Sequence, residues 1–261
     1  MHKKDKTIRK IFVPEDDYTL FFMDYEQVEY RIFASYAKAT GLIDAIHKGH
    51  DVHQATAGII YNVPYDEVTD EQRTKAKTVN FSILYGAGEA KLASGLTLSL
   101  TEARNFKAKY FAQLPEAEPF ISQVQRVTKT RGYIKNLYGR RRRLNYNECY
   151  KAPNALIQGA AADLMKAKLV VMYKFLKEGN YRTRILLPVH DEVIFEVHNE
   201  EHHILPKLKW LMSEYEKFRV PIETDIEMGS PSWGEKTSYE IETEPPSAEE
   251  LQRIYDYDLF K

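Results

Sequence analysis

The chain has 261 residues, a formal net charge of −1, 43% hydrophobic and 29% charged residues, and one cysteine, Cys149. That is material for one large or two modest packed domains, and it excludes a mainly disordered chain. The lone cysteine excludes an internal disulfide and suits a reducing, cytoplasmic compartment, and no apolar run is long enough to span a membrane. The basic start (His2, Lys3, Lys4, Lys6) is not followed by the apolar segment of a signal peptide, so a soluble cytoplasmic protein is expected. The near-neutral total hides an asymmetry. Glu71–Arg143 carries 15 Lys/Arg against 5 Asp/Glu, whereas Pro221–Lys261 carries 3 against 11. The basic middle is the footprint of a polyanion partner, although a solvated face would look the same.

In chain order, 8–13 and 18–25 are rich in aromatic and β-branched residues and predict strands, the second fully buried. The pattern turns helical over 26–38 and again over 53–61. Pro64 opens a loop toward a long helix over about 70–85. Ser99–Glu102 is a capping box that starts a helix ending at Leu114-Pro115. Residues 132–143 form a glycine-bounded, very basic hairpin or turn. A long helix runs from Pro153 to near Gly179. Two apolar runs, 184–188 and 193–197, flank His190-Asp191-Glu192 and predict a hairpin with an acidic tip. A helix over 200–217 and a strand over 221–227 follow. The segment after 237 is acidic, contains Pro245-Pro246, and is expected to be an appended, solvated tail. Strands at both ends of the chain with helices between them predict an α+β fold: an antiparallel sheet carrying an inserted helical subdomain.

Two signals carry chemistry. Asp24 ends a buried strand, and Asp191-Glu192 tips a hairpin. Desolvating an unpaired carboxylate costs several kcal/mol, so neighbouring strands that bring Asp24 to Asp191 invite a cation between them. Hard oxygen ligands select Mg²⁺ or Mn²⁺, and two such ions clamp an in-line phosphoryl transfer. Spacing alone also fits a strand-ending cap and an ordinary acidic turn. The second signal is sharper. Arg73, Lys77, Phe81 and Tyr85 recur every four residues and make one slowly drifting helical stripe. Its cations suit a triphosphate and its aromatics suit a base, unless the aromatics belong to the core.

These residues resemble known motifs. Asp24-Tyr-Glu-Gln-Val-Glu29-Tyr-Arg31 resembles motif A of the family A DNA polymerases, the bacterial DNA polymerase I family. Arg73 through Tyr85-Gly86 resembles motif B, the O helix of the fingers, and Val189-His190-Asp191-Glu192 resembles motif C. Asp51-Val-His53, Gly132-Tyr133 through Arg142, and Asn154 through Asp163 match in the same order, and the resemblance spans about 6–236. It implies palm and fingers: palm in 1–60 and 131–237, fingers in 61–130, and an acidic tail over 238–261. Thumb and exonuclease domains are not expected within this chain. The reaction implied is template-directed addition of deoxynucleoside triphosphates to a primer 3′-hydroxyl, with two Mg²⁺ ions, or Mn²⁺, as cofactors.

The resemblance also implies roles. Asp24, Asp191 and the Tyr25 carbonyl would hold metal, and Glu192 and Lys77 would assist catalysis. Glu29 would be the steric gate against a 2′-hydroxyl. Arg73, Lys77 and His53 would serve the phosphates, with Phe81 and Tyr85 against the nucleotide. Arg140, Arg141, Arg142, Asn154, Gln158 and His190 would contact primer and template. Implied partners are primer-template DNA and dNTPs; with about 23 residues ahead of Asp24, the chain is either a fragment or one part of a split polymerase whose thumb and exonuclease domains lie on a second polypeptide. The Arg143–Asn154 link is shorter than in the bacterial enzymes, Pro188 replaces a polar residue, and Glu26 adds charge near the metals. A non-catalytic DNA-binding or assembly module and a two-metal nuclease are the competing readings.

Overall fold

The computed structural model describes residues 7–213 and 218–256. In chain order the elements are β1 (Tyr18–Tyr25), α1 (Val28–Ala37), α2 (Thr40–His47), α3 (Val52–Tyr61), α4 (Asp70–Leu84), α5 (Glu89–Leu96), α6 (Leu100–Gln113) and α7 (Ala117–Arg131). There follow β2 (Tyr133–Lys135), β3 (Arg141–Arg143), α8 (Ala152–Glu178), β4 (Arg184–Val189), β5 (Glu192–His198), α9 (Leu205–Ser213), β6 (Thr224–Gly229), β7 (Lys236–Ser238) and α10 (Ala248–Asp256). The chain divides into two compact units. Among the described residues, a sheet unit comprises 7–28, 162–213 and 222–256, and a helical unit comprises 29–161 and 218–221. Segments 29–60 and 131–161, assigned to the palm by motif order, group with the helical unit.

The sheet unit is built on five antiparallel strands in the order β4-β5-β1-β6-β7, as the α+β reading expected. β1 is central because both its faces are apolar along most of its length. Phe21, Met23 and Tyr25 point to one face, opposite Phe195, Val193 and Ile226, and all are buried. The Tyr25 hydroxyl donates to the Met212 carbonyl at 3.0 Å, and Phe21 meets the His202 ring edge-on, so this face lies against α9 and the turn before it. Leu20, Phe22 and Ile194 cluster on the other face, with Val189 and Trp233 against them. Burying Phe22 stabilises by roughly 2 kcal/mol. Gly229 is required beside it, since a Cβ there would lie 2.7 Å from the Phe22 ring and 3.0 Å from the Ser232 carbonyl oxygen.

In the helical unit, Thr69 and Gln72 form a capping box that starts α4. The same device, from Ser99 and Glu102, starts α6 at the expected residues. Ala76, Val79, Asn80, Ile83 and Leu84 form the buried face of α4. Asn80 is fully buried and fully used. Its amide nitrogen donates to His53 Nδ1 at 2.9 Å and Thr56 Oγ1 at 3.2 Å, and its oxygen accepts from the Tyr30 hydroxyl at 2.8 Å. Tyr30 in turn meets the Tyr110 hydroxyl at 2.6 Å, so one polar thread ties α1, α3, α4 and α6 together. Gly86 follows α4 at φ +66°, and a Cβ there would stand 2.6 Å from the Tyr150 carbonyl oxygen.

Several expectations change. Residues 8–13 do not form a strand. Ile8–Ile11 is a 3₁₀ turn, and Ile8, Ile11, Phe12 and Val13 are half or more exposed, because β-favouring composition without a pairing neighbour makes no ladder. The helix expected over 200–217 starts as a 3₁₀ turn, Asn199–Ile204, and becomes regular at Leu205, where Pro206 needs no N–H partner. Residues 214–217 lie outside the described set. The last strand is displaced to Thr224–Gly229 and gains a partner, β7. α2, α5, α7 and α10 were not anticipated. The acidic tail is not simply solvated: Ser247 caps α10, Ile254 is buried, and Lys207 of α9 binds Glu250 at 2.9 Å. Residues 257–261 of the tail lie outside the described set.

Candidate active site

The carboxylates meet on the sheet unit. Register places Asp24 of β1 opposite Glu192 of β5 and Asp225 of β6, so three acidic residues form one row on the Phe22 face. The β4–β5 hairpin turns through only His190 and Asp191, because Val189 pairs with Glu192. The Tyr25 N–H donates to the Asp191 carbonyl at 3.2 Å, which draws the turn to the end of β1. His190 takes φ +60°, a conformation that costs a non-glycine residue about 1–2 kcal/mol. Asp24, His190, Asp191, Glu192 and Glu227 line one cavity of about 300 Å³, with Arg9, Trp233 and Lys236 also on its wall. Lys236 Nζ bonds Glu192 and lies 3.0 Å from Glu227.

Among the described residues, no three His, Cys, Asp or Glu side chains group tightly enough to hold a metal alone. The donor set still suits Mg²⁺ or Mn²⁺, because it is all carboxylate and opens on a cavity. Such ions keep several waters and take only one or two protein carboxylates beside substrate phosphates.

The stripe of Arg73, Lys77, Phe81 and Tyr85 lies on the helical unit. Arg73, Phe81 and Tyr85 are half-buried and Lys77 is exposed, while other residues supply the core face, so the stripe is not the core. Arg73 makes a two-point bond to Asp51, Nε to Oδ1 at 3.1 Å and Nη2 to Oδ2 at 2.6 Å. Asp51 also caps α3 by accepting from the Gln54 N–H at 2.7 Å. Burial opposes ionisation of Asp51, but the Arg73 bond and the Gln54 N–H outweigh it and hold its carboxyl below the ordinary range. His53 is buried behind the stripe, 5.6 Å from the Phe81 ring. Burial depresses its pKa to about 4. It is therefore neutral and offers structure, not charge.

Four predicted residues form one hydrogen-bonded chain. Asn154 donates to Gln158 at 3.3 Å, Gln158 donates to Glu29 at 3.1 Å, and the Tyr85 hydroxyl donates to the other Glu29 oxygen at 3.2 Å. Burial first, and the Glu29 charge second, push the Tyr85 hydroxyl up to about 12, so it remains a donor at neutral pH. Glu29 is thus clamped through both oxygens. Arg140, Arg141 and Arg142 are exposed around the β2–β3 hairpin, whose turn is held by Asn136 accepting from the Tyr138 and Arg140 N–H groups at 3.0 Å each. Arg141 also lies over the Tyr133 ring.

Comparison with known proteins gives this arrangement its context. The model of DNA polymerase family A matches residues 1–235. The chain belongs to DNA polymerase family A. It is 36% identical over 243 residues to DNA polymerase I of Geobacillus stearothermophilus, covering 88% of this chain and 28% of that protein. It is 34% identical over 240 residues to DNA polymerase I of Caldicellulosiruptor bescii, covering 87% of this chain and 28% of that protein. The chain therefore spans somewhat more than a quarter of the length of these relatives. Among solved structures it superposes, with a TM-score of 0.83 and 33% identity, on the POL domain of Pol1 from M. smegmatis in complex with DNA primer-template and dNTP. That match covers 90% of this chain and 44% of the other. Among the described residues, no helix is long and apolar enough to cross a membrane.

Asp225, Glu227, Lys236, Asp51 and Asn80 escaped the sequence reading. Asp51 carried a signal, since it stands in the Asp51-Val-His53 motif ahead of a helix start. The others are set by cross-strand register or by burial, which no local pattern reveals.

Proposed function

We propose that this chain is the palm-and-fingers catalytic core of a template-directed DNA polymerase, extending a primer 3′-hydroxyl with dNTPs. The observation that carries the reading is the single cavity lined by Asp24, Asp191 and Glu192 on a family A sheet. Asp24 and Asp191, with the Tyr25 carbonyl, would hold two divalent ions, whose charge activates the primer hydroxyl and offsets charge on the departing pyrophosphate. The remaining work falls to side chains. Arg73, oriented by Asp51, turns its remaining N–H groups toward phosphate, and Lys77 adds a point charge. Phe81 offers a ring face to the nucleotide. The clamped Glu29 blocks the space a 2′-hydroxyl needs, and its rigidity makes the block selective. Arg140–Arg142, Asn154, Gln158 and His190 contact backbone or pair shape, so sequence comes from the template.

The test is primer extension by the purified chain with Mg²⁺ and dNTPs at low salt, beside Asp191→Ala. Extension that disappears in the variant supports the proposal. Folded wild-type protein that degrades primer without dNTPs, or extends equally well as Asp191→Ala, refutes it.

A further inference from the structure

The carboxylate cavity holds a cation for which the reaction above has no use. Lys236 opens the edge strand β7 and pairs with Gly229 of β6. Its side chain crosses the sheet over Phe22, with Nζ 3.8 Å from the ring centroid. There it bonds Glu192, and it bonds Glu227 at 3.0 Å. The Lys236 and Glu192 side chains are only 13% and 14% exposed. A charge so withdrawn from water is tolerated because two carboxylates and an aromatic face surround it. Gly229, with no side chain between Lys236 and Phe22, leaves the path open.

We propose that Lys236 is a positioning residue: a built-in counter-cation that keeps Glu192 and Glu227 from divalent ions and reserves Asp24 and Asp191 for them. The inference rests on the reading of this cavity as a metal site. An ammonium and a divalent ion compete for the same oxygens, so Lys236 lowers metal affinity and keeps Glu192 fixed. It also neutralises part of a cavity wall that otherwise carries Asp24, Asp191, Glu192 and Glu227 together.

The test is Mn²⁺ binding to the full chain, read from the electron paramagnetic resonance of free Mn²⁺. Lys236→Gln should bind Mn²⁺ about tenfold more tightly than wild type, the scale of one nearby unit charge. Lys236→Arg, which keeps the charge, should match wild type. The gain should vanish in Lys236→Gln/Glu192→Gln. A second measurement needs no variant. Mn²⁺ at a concentration that fills the wild-type site should leave acylation of the Lys236 amine unchanged, read by peptide mass spectrometry, because Lys236 stays on Glu192 and Glu227. Equal Mn²⁺ affinity of folded Lys236→Gln and wild type, or Lys236 acylation that rises several-fold with Mn²⁺, overturns the proposal. A different result, Mn²⁺ binding that survives Asp24→Asn/Asp191→Asn, would remove the metal site itself.

Discussion

Acidification from pH 7 to pH 5 should weaken the helical unit by about 2 kcal/mol through His53 alone. His53 is 1% exposed, and its pKa is depressed to about 4. Burial is the largest cause; Asp51 opposes it, while the Lys77 and Arg73 charges reinforce it. The hydrogen bonding agrees, since Asn80 donates to Nδ1 and protonation there would set two donors face to face. In the unfolded chain the imidazole titrates near its ordinary value of about 6.5. Between the two values the unfolded state binds a proton that the folded state refuses. Stability therefore falls as pH falls, with no contribution above the unfolded pKa and no further loss below the folded one. Roughly one and a half pH units at about 1.4 kcal/mol each give the loss at pH 5. Carbon-labelled histidine NMR would follow His53 directly. Urea unfolding of wild type and His53→Gln at both pH values, with hydrogen exchange read on α3 and α4, would give the energy. A His53 midpoint above pH 6, or an equal pH loss in the variant, refutes the argument.

Other outcomes follow from single contacts. Asn80→Ala should cost about 3 kcal/mol, because it strips His53 Nδ1 of its donor and takes one partner each from buried Tyr30 and Thr56. A loss under 1 kcal/mol in urea titration would contradict that. His190→Gly should stabilise the protein by about 1 kcal/mol by relieving the left-handed residue in the hairpin turn, seen as a higher melting temperature. Glu29→Ala should raise ribonucleotide incorporation at least tenfold in primer extension, since the clamped carboxylate is lost; an unchanged dNTP/rNTP ratio would remove Glu29 from the gate. Phe81 has no hydroxyl to replace a missing sugar 3′-hydroxyl, so dideoxynucleotides should terminate poorly. Efficient termination would count against placing Phe81 beside the sugar.

What could be read in the sequence was local. β1 announced itself through an apolar run at its observed bounds, α4 through a four-residue repeat, and α6 through the Ser99–Glu102 capping box. The candidate carboxylates stood out because a charged residue at a strand end or a hairpin tip is conspicuous in an apolar run, and the structure brings Asp24, Asp191 and Glu192 to one cavity. Helices such as α7 were missed because their apolar faces are narrow: only Ala117, Val124 and Thr128 are buried there. Asn80 looked like an ordinary polar residue in a polar helix. Only its burial against α3 and α1 makes it a junction.

The same limit explains Lys236, and it bears on how the site works. In sequence, Lys236 stands 44 residues from Glu192 and 9 from Glu227, in a segment with no motif. Its importance arises from three pairings, β7 on β6, β6 on β1, and β1 on β5, whose register decides which side chains share a face. A one-residue slip in any of them would turn Lys236 or Glu192 to the opposite face and dissolve the ion pair. The register that packs Phe21 and Met23 into the core is therefore the register that sets the charge around Asp24. A substitution that loosens that core should reach the carboxylate cavity without touching a carboxylate.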